Sequence, residues 1–125
     1  KYQSEINSIR YAVNSGKESL VNELKIQLIG FTTSGVFNES RTKVNLQTYS
    51  QIIGLDFDDI DVTEVQQLKA NIDKSEYTLA SFVSPSGEGV KAFVQVNSNA
   101  EHHTSTYNQV ANYYQEISLM QSVKT

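Results

Sequence analysis

Two short stretches hold the residues that could do chemistry. The first is Gly54-Leu55-Asp56-Phe57-Asp58. Side chains alternate along a strand, so Asp56 and Asp58 are expected to project from one face. Their Cα atoms would then lie about 7 Å apart, twice the strand rise. Leu55 and Phe57 would turn to the core. Two carboxylates at the end of a buried strand suit a hard cation such as Mg²⁺ or Mn²⁺. With substrate phosphates completing the shell, this is the logic of two-metal phosphoryl or nucleotidyl transfer. A plainer explanation stands beside it. Strands often run out into acidic loops, and a helix N-terminus favours the negative charge of Asp59 and Asp61.

The second stretch is Ser84-Pro85-Ser86-Gly87-Glu88-Gly89-Val90-Lys91. Gly87 and Gly89 allow positive φ and close approach of a ligand. Successive backbone N–H groups in such a turn can form an anion-binding nest. Lys91, on the strand that follows, could set a point charge against a phosphate. The alternative is an ordinary hairpin turn with a surface lysine, since Gly and Pro are the usual turn residues.

Regular elements must position both stretches. Residues 3–26 show apolar recurrence at three and four residues, through Ile6, Ile9, Arg10, Val13, Leu20, Val21 and Leu24. Asn14-Ser15-Gly16 should break this into two helices, with Ser15 or Gly16 near a cap. Gln27–Phe31 reads as a short strand, and Thr32–Asn45 as a loop or irregular hairpin carrying Arg41 and Lys43. Ser50–Asp58 reads as a strand apolar enough to be central in its sheet. Asp61-Val62-Thr63-Glu64 opens a helix with Thr63 as its expected N-cap and Val65, Leu68 and Ile72 as its stripe. Tyr77–Val83 and Val90–Val96 predict an antiparallel strand pair about the glycine turn. Thr104–Leu119 predicts an amphipathic helix, with Tyr107, Val110, Ala111, Tyr114 and Ile117 on one side.

From residue 50 the order is strand, helix, strand, turn, strand, helix. This predicts an α+β fold: a small antiparallel or mixed sheet with helices on one face, built as a split βαβ unit. In such a sheet the carboxylate strand and the glycine turn can be neighbours and share a cleft.

Composition narrows the function classes. With 125 residues, 38% hydrophobic and 19% charged, the chain is sized for one folded domain, residues 1–125. It has no cysteine, which excludes disulfides and thiolate chemistry and fits a reducing, cytoplasmic setting. No apolar run approaches the roughly 20 residues that span a bilayer, so no membrane partner is expected. A net charge of −4 argues against non-specific DNA binding, which rests on phosphate contacts, but suits a cation site. The chain opens on Lys1 rather than Met and is expected to be a piece of something longer.

Together, "IIGLDFDDID" and "FVSPSGEGVKAFVQV" resemble the primase-like N-terminal domain found ahead of virulence-associated-E-type helicase domains in mobile elements, chiefly of Bacteroides-like bacteria. That family is similar to the archaeo-eukaryotic primase–polymerase superfamily. The resemblance covers residues 50–97 and implies an RRM-like, primase-like core. It implies that Asp56 and Asp58 are the metal-binding pair of a nucleotidyltransferase. It also implies that Ser84, Ser86, Gly87, Gly89 and Lys91 contact a nucleoside triphosphate. Lys91 stands where the superfamily has His. A third carboxylate is implied near or beyond residues 118–125, whereas the acids after Lys91 are Glu101 and Glu116. The implied partners are DNA and a helicase or ATPase domain elsewhere in the full-length protein. The alternative is a non-catalytic nucleotide- or nucleic-acid-binding or interaction module of the same ancestry.

Remaining candidates carry weaker patterns. His102 and His103 are adjacent, so on a helix they face different directions and chelate together poorly. Arg41 and Lys43 could touch DNA or triphosphate, but solvated surface charge explains them too. The tyrosines, Tyr113 and Tyr114 included, read as core or interface material. No serine has a histidine placed by the pattern to activate it.

Overall fold

The computed structural model describes the backbone of residues 2–28 and 30–124, and side chains as far as residue 117. Its architecture follows from where the chain stops helices and reverses strands. Helix α1 (Gln3–Asn14) ends at Ser15, where Gly16 takes φ 70°. Gly16 N donates to Val13 O and Lys17 N to Ala12 O, the paired bonds that close a helix through a left-handed glycine. Helix α2 (Glu18–Ile26) then returns along α1. Ile9, Ala12 and Val21 form a small core of their own, joined by Val13, Leu24 and Leu28.

The strand expected over Gln27–Phe31 does not form among the described residues, and Ile29 lies outside them. Gln27 N and Leu28 N donate back to Leu24 O and Lys25 O, so the helical turn overruns while Leu28 packs on the helix pair. The irregular hairpin is real: β1 (Gly35–Phe37) pairs antiparallel with β2 (Leu46–Tyr49), with a register shift after Val36 and a short 3₁₀ turn over Lys43–Asn45.

The main sheet has three antiparallel strands in the order β3 (Ile52–Phe57), β5 (Val90–Gln95), β4 (Thr78–Val83). Helix α3 (Val62–Asp73) connects β3 to β4, and β5 inserts between them. This is the expected split βαβ arrangement. The expectation that the carboxylate strand is central is corrected: β5 holds the centre and β3 an edge. The reason is visible in the burial. β5 buries Val90, Ala92 and Val94 completely on one face and has ladder partners on both sides, while the segment before β3 leans on that strand. There Ser34 Oγ donates to Ile52 O at 2.8 Å, and Thr33 packs over Gly54.

One face of the sheet is covered by α3 and α4 (His103–Lys124). Ile53, Leu55, Val90, Ala92 and Val94 meet Val65, Leu68, Ile72 and Tyr114 there. Each such large apolar side chain contributes about 1.5–3 kcal/mol on burial. Val110, Ala111 and Ile117 join this core, but Tyr107, expected on the same side, is 39% exposed. The N-cap of α3 is also corrected. Asp61 caps the helix, accepting from Thr63 N at 2.9 Å and Thr63 Oγ1 at 2.7 Å. Thr63 is therefore a donor to the cap. No helix among the described residues is long and apolar enough to cross a membrane.

Candidate functional site

Strand alternation sends Leu55 into the core and Asp56 to the open face of the sheet. The same alternation on β5 buries Val90 and Ala92 and sends Lys91 outward. Asp56 and Lys91 are direct register partners, and Lys91 Nζ donates to Asp56 Oδ1 at 2.7 Å. The Lys91 side chain is 36% exposed and that of Asp56 59%. Phe82 of β4 is the partner of Lys91 on its other side. The structure thus brings together one expected metal ligand and the expected phosphate cation, as an ion pair with each other.

Asp58 lies past the end of β3, where Asp59 at φ 56° turns the chain away from the ladder. Ile60 N then donates to Glu88 O at 2.8 Å, tying this corner to the glycine turn. Asp58 and Ser86 line one cavity of about 550 Å³, together with Asp59, Glu88 and the α1–α2 residues Lys17 and Lys25. Asp56 is not part of that lining. The expected shared cleft therefore exists for Asp58 and the turn, with Asp56 on the adjoining sheet face. Among the described residues no group of three or more histidines or acids is placed to hold a metal ion. Residues 118–124, where a third carboxylate was implied, continue α4 as helix, and their side chains lie outside those described.

The turn is held by its own hydrogen bonds. Ser84 N donates to Gly89 O and Gly87 N to Ser84 O, both at 2.9 Å. Gly87 takes φ 81°, a conformation costly for other residues. Gly89 serves a different need, because a Cβ there would collide with the carbonyl oxygen of Phe57. Its missing side chain admits the neighbouring strand end. Ser84 is buried, and its hydroxyl lies 3.1 Å from that of Ser86. Glu88 N donates to Ser86 Oγ at 3.3 Å. The Gly87 and Glu88 N–H groups donate inside the turn.

Arg10 is the residue at this site that pattern reading passed over. It sits in the helical stripe with Ile6, Ile9 and Val13, which made it look like one more packing position. Its guanidinium lies across Gly87, and Nη2 reaches Ser84 O at 3.4 Å. Arg10 Nε is buried without a hydrogen-bond partner among the described residues. A charged side chain inside an apolar stripe was the available signal.

The family model described as BT4734-like, N-terminal domain matches residues 23–123. The chain belongs to this family. No curated protein and no solved structure matches it. The span of the BT4734-like domain takes in Asp56, Asp58, the glycine turn and Lys91, while α1 with Arg10 precedes it.

Elsewhere in the BT4734-like domain, the two adjacent histidines serve separate places. His102 Nδ1 lies 2.8 Å from Asn99 Oδ1, beside a cavity of about 600 Å³ lined by Tyr77 and Tyr113. His103 Nδ1 lies 2.8 Å from the Tyr49 hydroxyl, with the two rings edge to face. Burial raises the Tyr49 phenol above its ordinary pKa. Arg41 and Lys43 line the same small cavity as Tyr49 and His103.

Proposed function

We propose that this domain binds a nucleoside triphosphate together with Mg²⁺ or Mn²⁺, as the primase–polymerase-like unit of a mobile-element replication protein. The observation that carries the reading is the Asp56–Lys91 ion pair on the open sheet face. A metal–triphosphate complex is itself an ion pair with complementary charges. Asp56 would hold the cation and Lys91 a phosphate, so two pairs would exchange partners. An exposed pair is worth only about 0–1 kcal/mol, which makes the exchange inexpensive. Mg²⁺ is commonly held by one or two carboxylates with phosphate oxygens and water completing its shell. Asp56 would supply one such carboxylate from the sheet face, and Asp58 a second from the adjoining corner.

The chemistry such a cation would supply is charge neutralisation at the phosphates during nucleotidyl transfer. This chain's own part is to orient the triphosphate between Lys91 and the rigid Ser84–Gly89 turn, with Ser86 facing the cavity. Transfer onto a DNA template, and the attached virulence-associated-E-type helicase or ATPase, would belong to a longer, cytoplasmic protein. The second reading is a non-catalytic nucleotide- or nucleic-acid-binding module. It is favoured by Lys91, which pairs with Asp56.

Calorimetric titration of Mn²⁺ with a nucleoside triphosphate tests both. Binding by the wild type that is lost in Asp56→Ala/Asp58→Ala, and lost again on adding EDTA, is the expected result. Binding that survives EDTA but needs Lys91 would favour the non-catalytic module. No binding to the wild type would overturn the triphosphate site in this domain.

A further inference from the structure

We infer that a second pocket, built between the β1–β2 hairpin and the start of α4, binds a phosphate monoester through Arg41, Lys43 and His103. Two segments far apart in sequence, residues 34–49 and 100–104, close this cavity of about 270 Å³. Arg41 and Lys43 come from the connection inside the hairpin, Tyr49 from β2, and His103 from the first residue of α4. The volume sits just below the roughly 300–1,000 Å³ of ordinary small-molecule sites. It suits a phosphate carrying a small group better than a whole dinucleotide.

The electrostatics favour an anion. The chain carries net charge −4, yet two of its cations converge here. Among the described residues the ion pairs are Lys69–Asp73 and Lys91–Asp56, and neither includes Arg41 or Lys43. Glu101 is the one acid in the lining, so the fixed charge around the pocket remains positive. Arg41 supplies a planar fork that matches phosphate oxygens and Lys43 a point charge. His103 is fixed by its Nδ1 contact with Tyr49, which leaves Nε2 as the ring nitrogen for a ligand. The Thr104 hydroxyl adds a neutral donor at the wall. The pocket shares no lining residue with the cavity of Asp58 and Ser86, so it stands or falls apart from the triphosphate reading.

The test is a ¹H–¹⁵N NMR titration of the whole chain with orthophosphate and with ribose 5-phosphate, against sodium chloride at matched ionic strength. Saturable shifts at Tyr49 and His103 are expected. Arg41→Ala/Lys43→Ala should weaken them by at least about tenfold, the scale of one charge-assisted hydrogen bond. Both side chains are exposed, so the variant's remaining spectrum should stay that of the folded protein. Lys74→Ala, an exposed cation elsewhere, should bind as the wild type does. Tighter binding of ribose 5-phosphate than of orthophosphate supports a monoester site, and equal or weaker binding overturns it in favour of the free ion. Shifts no larger than those from chloride, or undiminished binding by the double variant, would overturn the proposal.

Discussion

Lys91 Nζ meets Asp56 Oδ1 at 2.7 Å because the two residues are register partners across the β3–β5 ladder. Neither residue's local sequence specifies the other. The pairing follows from β5 inserting beside β3, and it gives the open sheet face one acid and one base in contact. A ligand that brings both a cation and an anion can separate them; a ligand that brings only one charge leaves the other residue unpaired.

Asp56→Asn should therefore cost little stability and much binding. The pair is exposed, so the change in unfolding free energy should stay within about 1 kcal/mol. Binding of Mn²⁺ with triphosphate should fall below detection. Urea denaturation and calorimetry on the same variant separate the two effects.

The two turn glycines should fail for different reasons. Gly89→Ala forces a Cβ against the Phe57 carbonyl oxygen, and overpacking of this kind costs about 1–3 kcal/mol. Gly87→Ala keeps its space but must hold φ 81°, at roughly 1–2 kcal/mol. Only Gly89→Ala should also disturb β3, seen as amide shifts at Asp56 and Phe57.

Acid should loosen α3 through two carboxyls. Asp61 is held below the usual aspartate range by the backbone and then the side-chain hydrogen bond from Thr63. Asp73 is held low by the Ser81 hydroxyl first and by Lys69 after it. A folded pKa below the unfolded one means stability that is present above the ordinary value, about 3.9, and is lost as pH falls through the folded one. Stability should therefore drop below about pH 4. Asp61→Asn should keep the cap and reduce that drop. A pH series of urea midpoints measures it.

Tyr114 joins α4 to the end of α3 and the start of β4. It is 1% exposed, and its hydroxyl lies 2.6 Å from Thr78 Oγ1 and donates to Ser75 Oγ at 3.3 Å. Tyr114→Phe should cost about 1 kcal/mol, since Thr78 keeps its bond to Ile72 O. Tyr114→Ala should cost about 3–5 kcal/mol through the cavity it leaves. Thermal unfolding of both variants separates the hydroxyl from the ring.

Much of the fold was legible because its signals are local. The stripe on α3, the break at Asn14-Ser15-Gly16 and the alternation of β5 each need only a few neighbouring residues. The strand–helix–strand–turn–strand order then admits few topologies, and the split βαβ unit was among them. Some local readings still failed. Asp61 and Thr63 are both good caps, and the choice depended on where the chain left β3. Gln27–Phe31 has the composition of a strand, but its described residues pair with no strand.

The sequence by itself determined the α+β class, the two candidate stretches and the glycines on which the turn depends, because periodicity and φ preference are properties of short segments. Tertiary structure alone decided that β5 rather than β3 is central. It also decided that Lys91 faces Asp56, that Asp58 opens onto the α1–α2 side, and that Arg41, Lys43 and His103 surround one pocket. Those facts depend on register and packing between residues tens of positions apart, where no short-range pattern reaches.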